Sequence, residues 1–295
     1  MVQVADTELI AHAQRIHGKV LVITGAGSGI GREIALLYAN YGAKVVIGDI
    51  DKDAADGVVY EITDSGGLAV AQRCDVTVWD ELVALFDLAM DAYGSVDVVI
   101  PNAGIIGTPW LPLQTVGGKL SPPDLKTIDV NVVGVLHTCS LALHYLVPER
   151  ETLTPDSVKA LILIAAFHPM YGTVQYTASK HAILGIQRSL SPVCTMKGIR
   201  SGSVHPGFVD TPLIEGLADA GVTSGFPMIP VERVAAICLA IATDTDLDTS
   251  ERPWLLVDGE GVERLHDFEL SEGLYKELNS RLRGSMQPAK PFNVL

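Results

Sequence analysis

From Lys19 onward, short aliphatic and β-branched runs alternate with longer segments whose apolar positions recur with the period of a helix. Several short runs are apolar at every position, which is typical of strands covered on both faces. The strand predictions are "KVLVITG", "AKVVIGD", "LAVAQRCDV", "VDVVIPNAG", "VKALILIAA", "RSGSVHPG" and "PWLLVDG". The helix predictions are residues 29–41, 52–64, 78–93, 122–147, 176–196 and 231–243. This alternation predicts an α/β fold with a doubly wound parallel β-sheet of about seven strands and helices on both faces.

The chain shows no linker, repeat or change in composition that would separate a second domain. We therefore expect residues 19–262 to form a single domain, since α/β domains of this size occur undivided. Residues 1–18 and 263–295 are predicted to be terminal extensions. In the second extension, leucines at four-residue steps predict a short amphipathic helix, at Leu270, Leu274, Leu278 and Leu282.

Composition and charge exclude several classes of partner. The 295-residue chain has a formal net charge of −14, which repels phosphate backbones and anionic membrane surfaces, so we expect no nucleic acid and no membrane as partner. No apolar run approaches the length of about 18 residues that spans a bilayer. The eight histidines form no metal-ligand spacing such as H-x-x-H, and no metal site is predicted. Small molecules remain as the expected ligands.

The cysteines bear on the cellular compartment. The four of them, Cys74, Cys139, Cys194 and Cys238, are far apart and form no C-x-x-C pair. Each lies within an ordinary strand or helix pattern, which predicts buried, reduced thiols. Reduced thiols are typical of a cytoplasmic protein, and the N-terminal residues lack the apolar core of a secretory signal.

A glycine cluster follows the first predicted strand in "TGAGSGIG". Gly25, Gly29 and Gly31 permit a tight turn, close approach of a pyrophosphate to the backbone, and close packing of helix on strand. Asp49 ends the second predicted strand, where its carboxylate would accept hydrogen bonds from both ribose hydroxyls of an adenosine. The same charge would repel a 2′-phosphate, so the pattern favours NAD over NADP.

A Tyr-x-x-x-Lys pair begins the helix predicted at 176–196. Tyr176 and Lys180 are one helical turn apart and share a face. We expect the lysine ammonium to lower the pKa of the tyrosine from its usual value of about 10, because the ammonium stabilises the phenolate. Such a tyrosine can exchange a proton with a carbinol or carbonyl oxygen while a hydride passes to or from a nicotinamide.

Five motifs in this order carry a resemblance to the short-chain dehydrogenase/reductase family: "TGAGSGIG", "NAG" (102–104), "DVNVVGV", "YTASK" and "HPGFVDT". The resemblance implies a Rossmann domain that contains both the cofactor and the substrate site, with Tyr176, Lys180 and Asn131 as catalytic residues. Asn131 resembles the Asn of the family that anchors a proton-relay water to the lysine. The implied NAD-binding residues are Gly25, Ser28, Gly29, Ile30, Gly31, Asp49, Asp75, Val76, Asn102, Ala103, Gly104, Tyr176, Lys180, Pro206, Gly207, Val209 and Thr211.

The chain departs from the family at the catalytic serine. Ala165 and Ala166 stand at the end of the strand where the family has Ser-Ser. That serine donates a hydrogen bond to the substrate oxygen, and loss of one such donor lowers the rate by about 10²–10³. Three explanations remain open. Another side chain replaces it, with His168 best placed and Tyr171 or Thr173 next; the serine was deliberately replaced by alanine; or the protein binds its ligands without efficient redox turnover.

The loops predicted to wall the substrate site are apolar and carry few charges. Their expected pocket residues are Trp110, Ala166, His168, Met170 and Leu213. We expect a bulky, apolar secondary alcohol such as a polyketide, terpenoid, steroid-like or fatty alcohol, of the kind found in secondary metabolism. The predicted function is NAD(H)-dependent interconversion of such an alcohol and its ketone, with Tyr176 as acid/base. The rival is a dinucleotide-binding protein that acts as a non-redox catalyst or regulatory partner.

Assembly is predicted from the two long helices. The helices at 122–147 and 176–196 carry more apolar residues than one face against the sheet requires. They resemble the pair through which members of the family associate. We expect a symmetric homodimer or homotetramer.

Overall fold

The predicted strands form a continuous sheet in the computed structural model, which describes residues 2–107, 114–116, 119–147, 157–166, 173–215, 228–245, 253–256 and 262–264. The strands in chain order are β1 (Val2–Val4), β2 (Val20–Thr24), β3 (Lys44–Asp49), β4 (Leu68–Arg73), β5 (Val98–Ile100), β6 (Gln114–Val116), β7 (Lys119–Ser121), β8 (Ala160–Ile164), β9 (Arg200–Pro206), β10 (Phe208–Val209), β11 (Met228–Ile229), β12 (Pro253–Leu256) and β13 (Val262–Arg264). Strands β6 and β7 form a separate antiparallel pair, and β10 and β11 form a separate parallel pair.

Seven strands in the described part of the chain are parallel, in the spatial order β12, β9, β8, β5, β2, β3, β4. This order confirms the predicted doubly wound sheet. The strand order reverses at β2, which pairs with β3 on one side and with β5 on the other. Ligands of such sheets bind outside the carboxyl ends of the strands at the point of reversal.

Two antiparallel strands extend the sheet beyond β12. Strand β13 pairs with β12, and β1 pairs with β13 in a register that places Val2 opposite Arg264. The predicted N-terminal extension, residues 1–18, therefore contributes a strand to the sheet. Leu9 and Ile16 are buried in the core beside it. The predicted helix at 270–282 lies outside the described residues.

The helices cover both faces of the sheet. In chain order they are α1 (Asp6–Leu9), α2 (Gly29–Asn40), α3 (Lys52–Asp64), α4 (Trp79–Tyr93), α5 (Lys126–Ile128), α6 (Gly134–Tyr145), α7 (Val174–Met196) and α8 (Val231–Thr243). The helix predicted at 122–147 is divided, because a π-helical turn at Asp129–Val133 separates α5 from α6. None of the helices described combines the length and the apolar character that crossing a bilayer requires.

The core consists of two layers, one on each face of the sheet. Every residue of β2 is buried, and successive side chains point to opposite faces, as the period of a strand requires. Leu21 and Ile23 contribute to the layer with α2 and α8, and Val20 and Val22 to the layer with α4, α6 and α7. This double burial explains why the predicted strands are apolar without alternation.

Candidate functional site

A cavity of about 770 Å³ opens at the carboxyl ends of the strands around the reversal point. This volume is within the usual range of small-molecule sites, about 300–1,000 Å³. Most of the lining was predicted: Gly25, Ser28, Gly29, Ile30, Asp49, Asp75, Val76, Asn102, Ala103, Gly104, Ala166, Tyr176, Lys180, Pro206, Gly207, Val209, Thr211 and Leu213. The sequence-derived cofactor and pocket residues therefore converge on one cavity.

The glycine cluster forms the turn between β2 and α2. Gly25 has a φ of 67°, and a Cβ atom there would lie 2.6 Å from Ala103 Cα, so only glycine fits. Gly31 is buried behind the cavity wall, and a Cβ on it would collide with the Gly25 carbonyl and the Asn102 amide. Helix α2 begins at Gly29, and Ser28 makes no side-chain cap. The first amides of α2 are thus left for an anionic ligand such as a pyrophosphate.

Asp49 borders the glycine turn at the end of β3. Its Oδ2 accepts a hydrogen bond from the Gly27 amide at 2.8 Å, and its Oδ1 accepts one from the Asp51 amide at 2.9 Å. A carboxylate has about four acceptor positions, so each oxygen keeps one for a ligand hydroxyl. Two backbone donors hold the carboxylate at the cavity wall.

The first cations that follow the glycine turn and Asp49 in sequence, Arg32 and Lys52, each pair with a carboxylate. Arg32 Nη2 lies 2.5 Å from Glu61 Oε2. Lys52 Nζ lies 2.5 Å from Asp56 Oδ1, one turn along α3. Both side chains of each pair are exposed or partly exposed.

Asp75 and Val76 line the cavity after β4, where the resemblance implies an adenine site. Hydrogen bonds from the Thr77 side chain (2.7 Å) and amide (3.0 Å) hold Asp75 Oδ1. The Thr77 hydroxyl is the main cause that lowers the pKa of Asp75, and the Lys126 ammonium lowers it further. Lys126 also lines the cavity and was not predicted.

Asn131 supports the cavity wall from behind. Its Oδ1 accepts a hydrogen bond from the Ile105 amide at 2.8 Å, and its Nδ2 donates to the Ile105 carbonyl at 2.9 Å. Nδ2 also contacts Ser179 Oγ at 3.0 Å, which links the loop after β5 to helix α7. The side chain of Asn131 is buried and is absent from the described cavity lining. The side chain thus fixes the relation between the "NAG" loop and the helix that carries Tyr176.

Tyr176 and Lys180 project from the first turns of α7 into the cavity. Lys180 Nζ lies 5.7 Å from the centre of the Tyr176 ring and donates to the Ile164 carbonyl at 3.1 Å. Burial lowers the pKa of Lys180 to about 8. Burial also raises the pKa of Tyr176 to about 12, so the predicted lowering was wrong. The desolvation of the phenol outweighs the effect of an ammonium at this distance.

Ala165 and Ala166 line the same cavity as Tyr176, at the end of β8. Neither carries a hydroxyl, so the described wall lacks the donor that a serine would supply there. Thr173 is buried at the start of α7 and is absent from the described lining. The other proposed replacements, His168 and Tyr171, lie outside the described residues, as do the pocket predictions Trp110 and Met170.

The rest of the described lining was not among the predicted cofactor and pocket residues given above, although Ala165 was placed at the serine position and Ile105 and Ile214 lie in the predicted pocket loops. It consists of Ile50, Cys74, Ile105, Lys126, Val130, Ile164, Ala165, Phe208, Pro212 and Ile214. Most of these residues are neighbours of predicted ones, so extending each motif by one or two residues would have found them. Among the described residues, no group of three or more His, Cys, Asp or Glu side chains is arranged to hold a metal ion.

Comparison with known proteins gives consistent matches. The sequence model of the short chain dehydrogenase family matches residues 19–220. A cyclohexanol dehydrogenase of Acinetobacter sp. strain SE19 is 31% identical over 255 residues, covering 84% of this chain and 96% of the relative. The 7alpha-hydroxysteroid dehydrogenase of Escherichia coli K12 is 35% identical over 209 residues, covering 69% of this chain and 76% of the relative.

A solved structure is also similar to this chain. The 3-ketoacyl-(acyl-carrier-protein) reductase of Brucella melitensis, crystallised in complex with NADH, superposes with a TM-score of 0.69 at 25% sequence identity. The match covers 83% of this chain and 98% of that one. The same fold therefore holds a reduced nicotinamide dinucleotide in that protein.

Proposed function

The chain belongs to the short-chain dehydrogenase family, and from that premise we propose that it is an NAD(H)-dependent oxidoreductase that interconverts a bulky secondary alcohol and its ketone. One observation carries this proposal. The half-buried Tyr176 and the buried Lys180 share a cavity with the glycine turn and with Asp49. The cavity therefore combines groups that could bind the pyrophosphate and the ribose of a dinucleotide with a tyrosine that could donate a proton to a smaller second ligand.

The residues of the cavity fit a nicotinamide dinucleotide. The amides at the start of α2 would hold the pyrophosphate, Asp49 the adenosine ribose, and Thr211 and Val209 the nicotinamide end. When bound, the nicotinamide supplies the hydride donor or acceptor. Gly25 and Gly29 both line the cavity at positive φ, where a side chain would be strained and would fill the cradle.

Tyr176 is the acid/base in this proposal. Its phenol, with a pKa raised to about 12, is protonated at neutral pH and can donate its proton to a ketone oxygen. In the direction of alcohol oxidation, Tyr176 must first lose this proton to solvent, and the phenolate oxygen then takes the carbinol proton. The Lys180 ammonium, with a pKa of about 8, remains mostly protonated at neutral pH and provides positive charge beside the reacting oxygens.

Asp49 supports NAD(H) rather than NADP(H), because its carboxylate would repel a 2′-phosphate. Arg32 and Lys52 would offset this repulsion little, since each already pairs with a carboxylate. In fluorescence titrations, we expect NADH to bind more tightly than NADPH by about tenfold or more. Asp49→Ala should narrow this ratio, whereas Asp53→Ala, at an exposed position of α3, should leave it unchanged. Equal affinities in the unmodified protein would contradict the assignment.

For the substrate, we infer an alicyclic secondary alcohol. Both relatives named above act, by their names, on ring alcohols: cyclohexanol and a hydroxysteroid. The cavity that Tyr176 lines also has apolar wall residues, among them Ile105, Ala166, Phe208, Leu213 and Ile214. Such a surface suits a hydrocarbon ring system better than a charged or sugar-like alcohol.

The proposal is tested with a panel of alcohols and ketones of increasing ring number, assayed by NADH absorbance. We expect the parent to turn over cyclohexanol, a bicyclic terpenoid alcohol or a hydroxysteroid. Tyr176→Phe should lose this turnover. Tyr60→Phe, at an exposed position of α3, is the matched control and should retain the parent rate. A parent that turns over no member of the panel while it binds NADH would contradict the proposal.

A second candidate is binding of dinucleotide without efficient redox turnover. It is favoured by the alanines at the end of β8 and by the raised pKa of Tyr176. The two candidates differ in their response to Ala166→Ser. An oxidoreductase limited by the missing donor gains rate, whereas a binding protein shows NADH affinity and no hydride transfer in either form.

We also propose a homodimer or homotetramer. Leu136 on α6 is 47% exposed, and Trp79 at the start of α4 is 42% exposed and packs edge-on against His137. These neighbouring apolar side chains would be covered by a second copy. Light scattering at micromolar concentration should give a multiple of the chain mass, and Leu136→Glu should lower it. A monomeric parent would contradict this proposal.

A cytoplasmic location is proposed from the thiols. All four cysteines are buried, as the sequence predicted, and they form no disulfide in the described part of the chain. Burial raises the pKa of Cys139 and Cys238 above that of an ordinary thiol, which keeps them unreactive. Labelling of the folded protein with a thiol reagent should be slow, and rapid labelling of all four would contradict this interpretation.

A further inference from the structure

Ser179 lies in the first turns of α7, between Tyr176 and Lys180, and its hydroxyl has two partners. Its Oγ donates to the Tyr176 carbonyl at 2.7 Å and lies 3.0 Å from Asn131 Nδ2. The residue is fully buried and is absent from the described cavity lining. The hydroxyl therefore joins the backbone of the acid/base to a side chain of the π-helical turn.

The direction of each hydrogen bond in this cluster is fixed by its acceptors. The Tyr176 carbonyl can only accept, so the single hydroxyl proton of Ser179 goes to it. Asn131 Nδ2 then donates to Ser179 Oγ. The reversed amide orientation is excluded, because it would place Oδ1 of Asn131 against the Ile105 carbonyl and Nδ2 against the Ile105 amide. Both N–H groups of Asn131 and the one O–H of Ser179 are thus used.

These bonds form a continuous chain from the cavity wall to the acid/base. The chain runs from the Ile105 backbone through the two buried side chains to the Tyr176 carbonyl. Ile105 follows Gly104 in the loop after β5, and both residues line the cavity that Tyr176 also lines. The spacing between this loop and the first turns of α7 therefore depends on the Ser179 hydroxyl.

We propose that Ser179 is a positioning residue for the reaction: its hydroxyl, held by Asn131, fixes the turn of α7 that carries Tyr176 against the loop after β5. Ser179 does not line the described cavity, so it acts through Asn131 and the Tyr176 backbone. Without the hydroxyl, one N–H of Asn131 would be buried without its acceptor, and a buried network that is only partly satisfied rearranges. The proposal rests on the oxidoreductase function proposed above.

The first test is Ser179→Ala, which removes the hydroxyl and leaves the side chains of Tyr176 and Lys180 unchanged. Because displacement of a reacting group by about 1 Å can lower a rate by as much as 10²-fold, we expect kcat for a ring alcohol to fall about 5- to 50-fold. The Kd for NADH should stay within about twofold, since the glycine turn and Asp49 are untouched. Parent-like kcat would overturn the proposal. So would a loss of NADH affinity as large as the loss of kcat, because Ser179 would then support the fold as a whole.

Hydrogen exchange of residues 102–107, measured by mass spectrometry, tests the link without requiring activity. The Ile105 amide donates to Asn131 Oδ1 and not to Ser179. If Ser179 holds Asn131, this amide should exchange faster in Ser179→Ala, whereas a purely local effect on α7 would leave it unchanged. Unchanged exchange overturns the proposal even if kcat falls. If the parent itself has no activity, the proposed function fails, and unchanged exchange in Ser179→Ala overturns the positioning role separately.

Ser191→Ala is the matched control on the same helix. Ser191 is buried, accepts a hydrogen bond from Gln187 at 2.7 Å and contacts Ser201 at 2.9 Å, and it is absent from the described cavity lining. The variant should lower thermal stability as loss of a buried hydroxyl does, with kcat and the exchange of residues 102–107 unchanged. An equal fall of kcat in Ser191→Ala and Ser179→Ala would overturn the proposal, because any buried serine of α7 would then have the same effect.

Ser179→Cys replaces the alanine variant if that protein fails to fold. A thiol is close to a hydroxyl in size and is a weak donor and a weak acceptor, so it keeps the packing and weakens both hydrogen bonds. We expect kcat to fall about 3- to 10-fold, with faster exchange of residues 102–107 and NADH affinity within about twofold. Parent-like kcat or parent-like exchange in Ser179→Cys would then overturn the proposal.

Discussion

Two buried lysines lie at opposite edges of the sheet, and their surroundings differ. Lys159 stands at the amino edge, just before β8, where its Nζ lies 3.0 Å from Asp97 Oδ1 and 2.8 Å from the Val96 carbonyl. Asp97 Oδ2 in turn accepts the Val20 amide at 2.8 Å. Both members of this ion pair are more than nine-tenths buried. The charges at the amino edge are therefore matched within the protein itself.

Lys180 stands at the carboxyl edge, where the strands open into the cavity. In the described residues its ammonium has the Ile164 carbonyl as hydrogen-bond partner and no carboxylate within ion-pair distance. Its pKa falls to about 8 because the charge is desolvated without a counter-charge. An ammonium has three donors, so two remain for a ligand.

The difference separates a lysine that serves the fold from one that serves a ligand. Pairing offsets much of the desolvation penalty of a buried charge. A buried charge without a counter-ion keeps that penalty and lowers the stability of the fold. Such a cost is typical of functional sites, where groups are kept ready for a partner that binds later. Ala165, Ala166 and Tyr176, whose pKa is raised, lie at the same carboxyl edge as Lys180.

The largest effect is expected from removing the proton donor at the carboxyl edge. Tyr176→Phe should lower kcat by about 10²–10⁴, because general acid–base catalysis contributes that much. The free energy of unfolding should change little, since the phenyl ring keeps the packing. Steady-state rates and a denaturant titration of the same preparation measure both. A Tyr176→Phe protein with the parent rate would contradict the acid/base role of Tyr176 at this edge.

The next effect concerns stability at the amino edge. Lys159→Met leaves Asp97 buried without its partner and should lower the free energy of unfolding by about 3–5 kcal/mol. The double variant Lys159→Met/Asp97→Asn removes the stranded charge and should recover part of the loss. Urea titrations at neutral pH measure all three proteins. A loss below about 1 kcal/mol, as for an exposed pair, would contradict the structural role of Lys159.

A smaller effect is expected from restoring a hydroxyl at the carboxyl edge. Ala166→Ser should raise turnover of a ring alcohol by up to about 10²–10³, the contribution of one preorganised donor. Ala160→Ser, at the other end of β8, is the control and should give no gain. An unchanged rate in Ala166→Ser would mean that another group already donates to the substrate oxygen.

The smallest effect is the pH dependence of stability. The pKa of Lys180 is about 8 in the folded chain and 10.5 for an ordinary lysine, so between these values the unfolded chain binds a proton that the folded chain lacks. The free energy of unfolding should therefore rise with pH across this window, by about 1–3 kcal/mol relative to Lys180→Met. Lys159→Met should keep the rise. Parallel pH profiles for the parent and Lys180→Met would show that Lys180 titrates normally.

Much of this architecture is predictable from local sequence. Asp49 ends a β-strand at a fixed distance after a glycine turn, and the pattern alone indicates its place at the cavity wall. Tyr176 and Lys180 are placed by helical period in the same way. The antiparallel pairing of Val2–Val4 with Val262–Arg264 is not predictable, because two short strands at opposite ends of the chain carry no local signal of their partner.

The energetic properties of the site were less predictable than its location. The raised pKa of Tyr176 depends on how deeply the phenol is buried, and the spacing to Lys180 says nothing about that. The π-helical turn that holds Asn131 depends on its bonds to Ile105 and Ser179, which are distant in sequence.

The most direct test of the comparison is calorimetric titration of NADH into the parent, Lys180→Met and Lys159→Met, under conditions where each is folded. If Lys180 serves the ligand, Lys180→Met should weaken the Kd by about 10- to 100-fold, the loss of a charged hydrogen bond. Lys159→Met should bind as the parent does, because its lysine lies at the other edge of the sheet. Parent-like affinity in Lys180→Met, or an equal loss in both variants, would contradict this account.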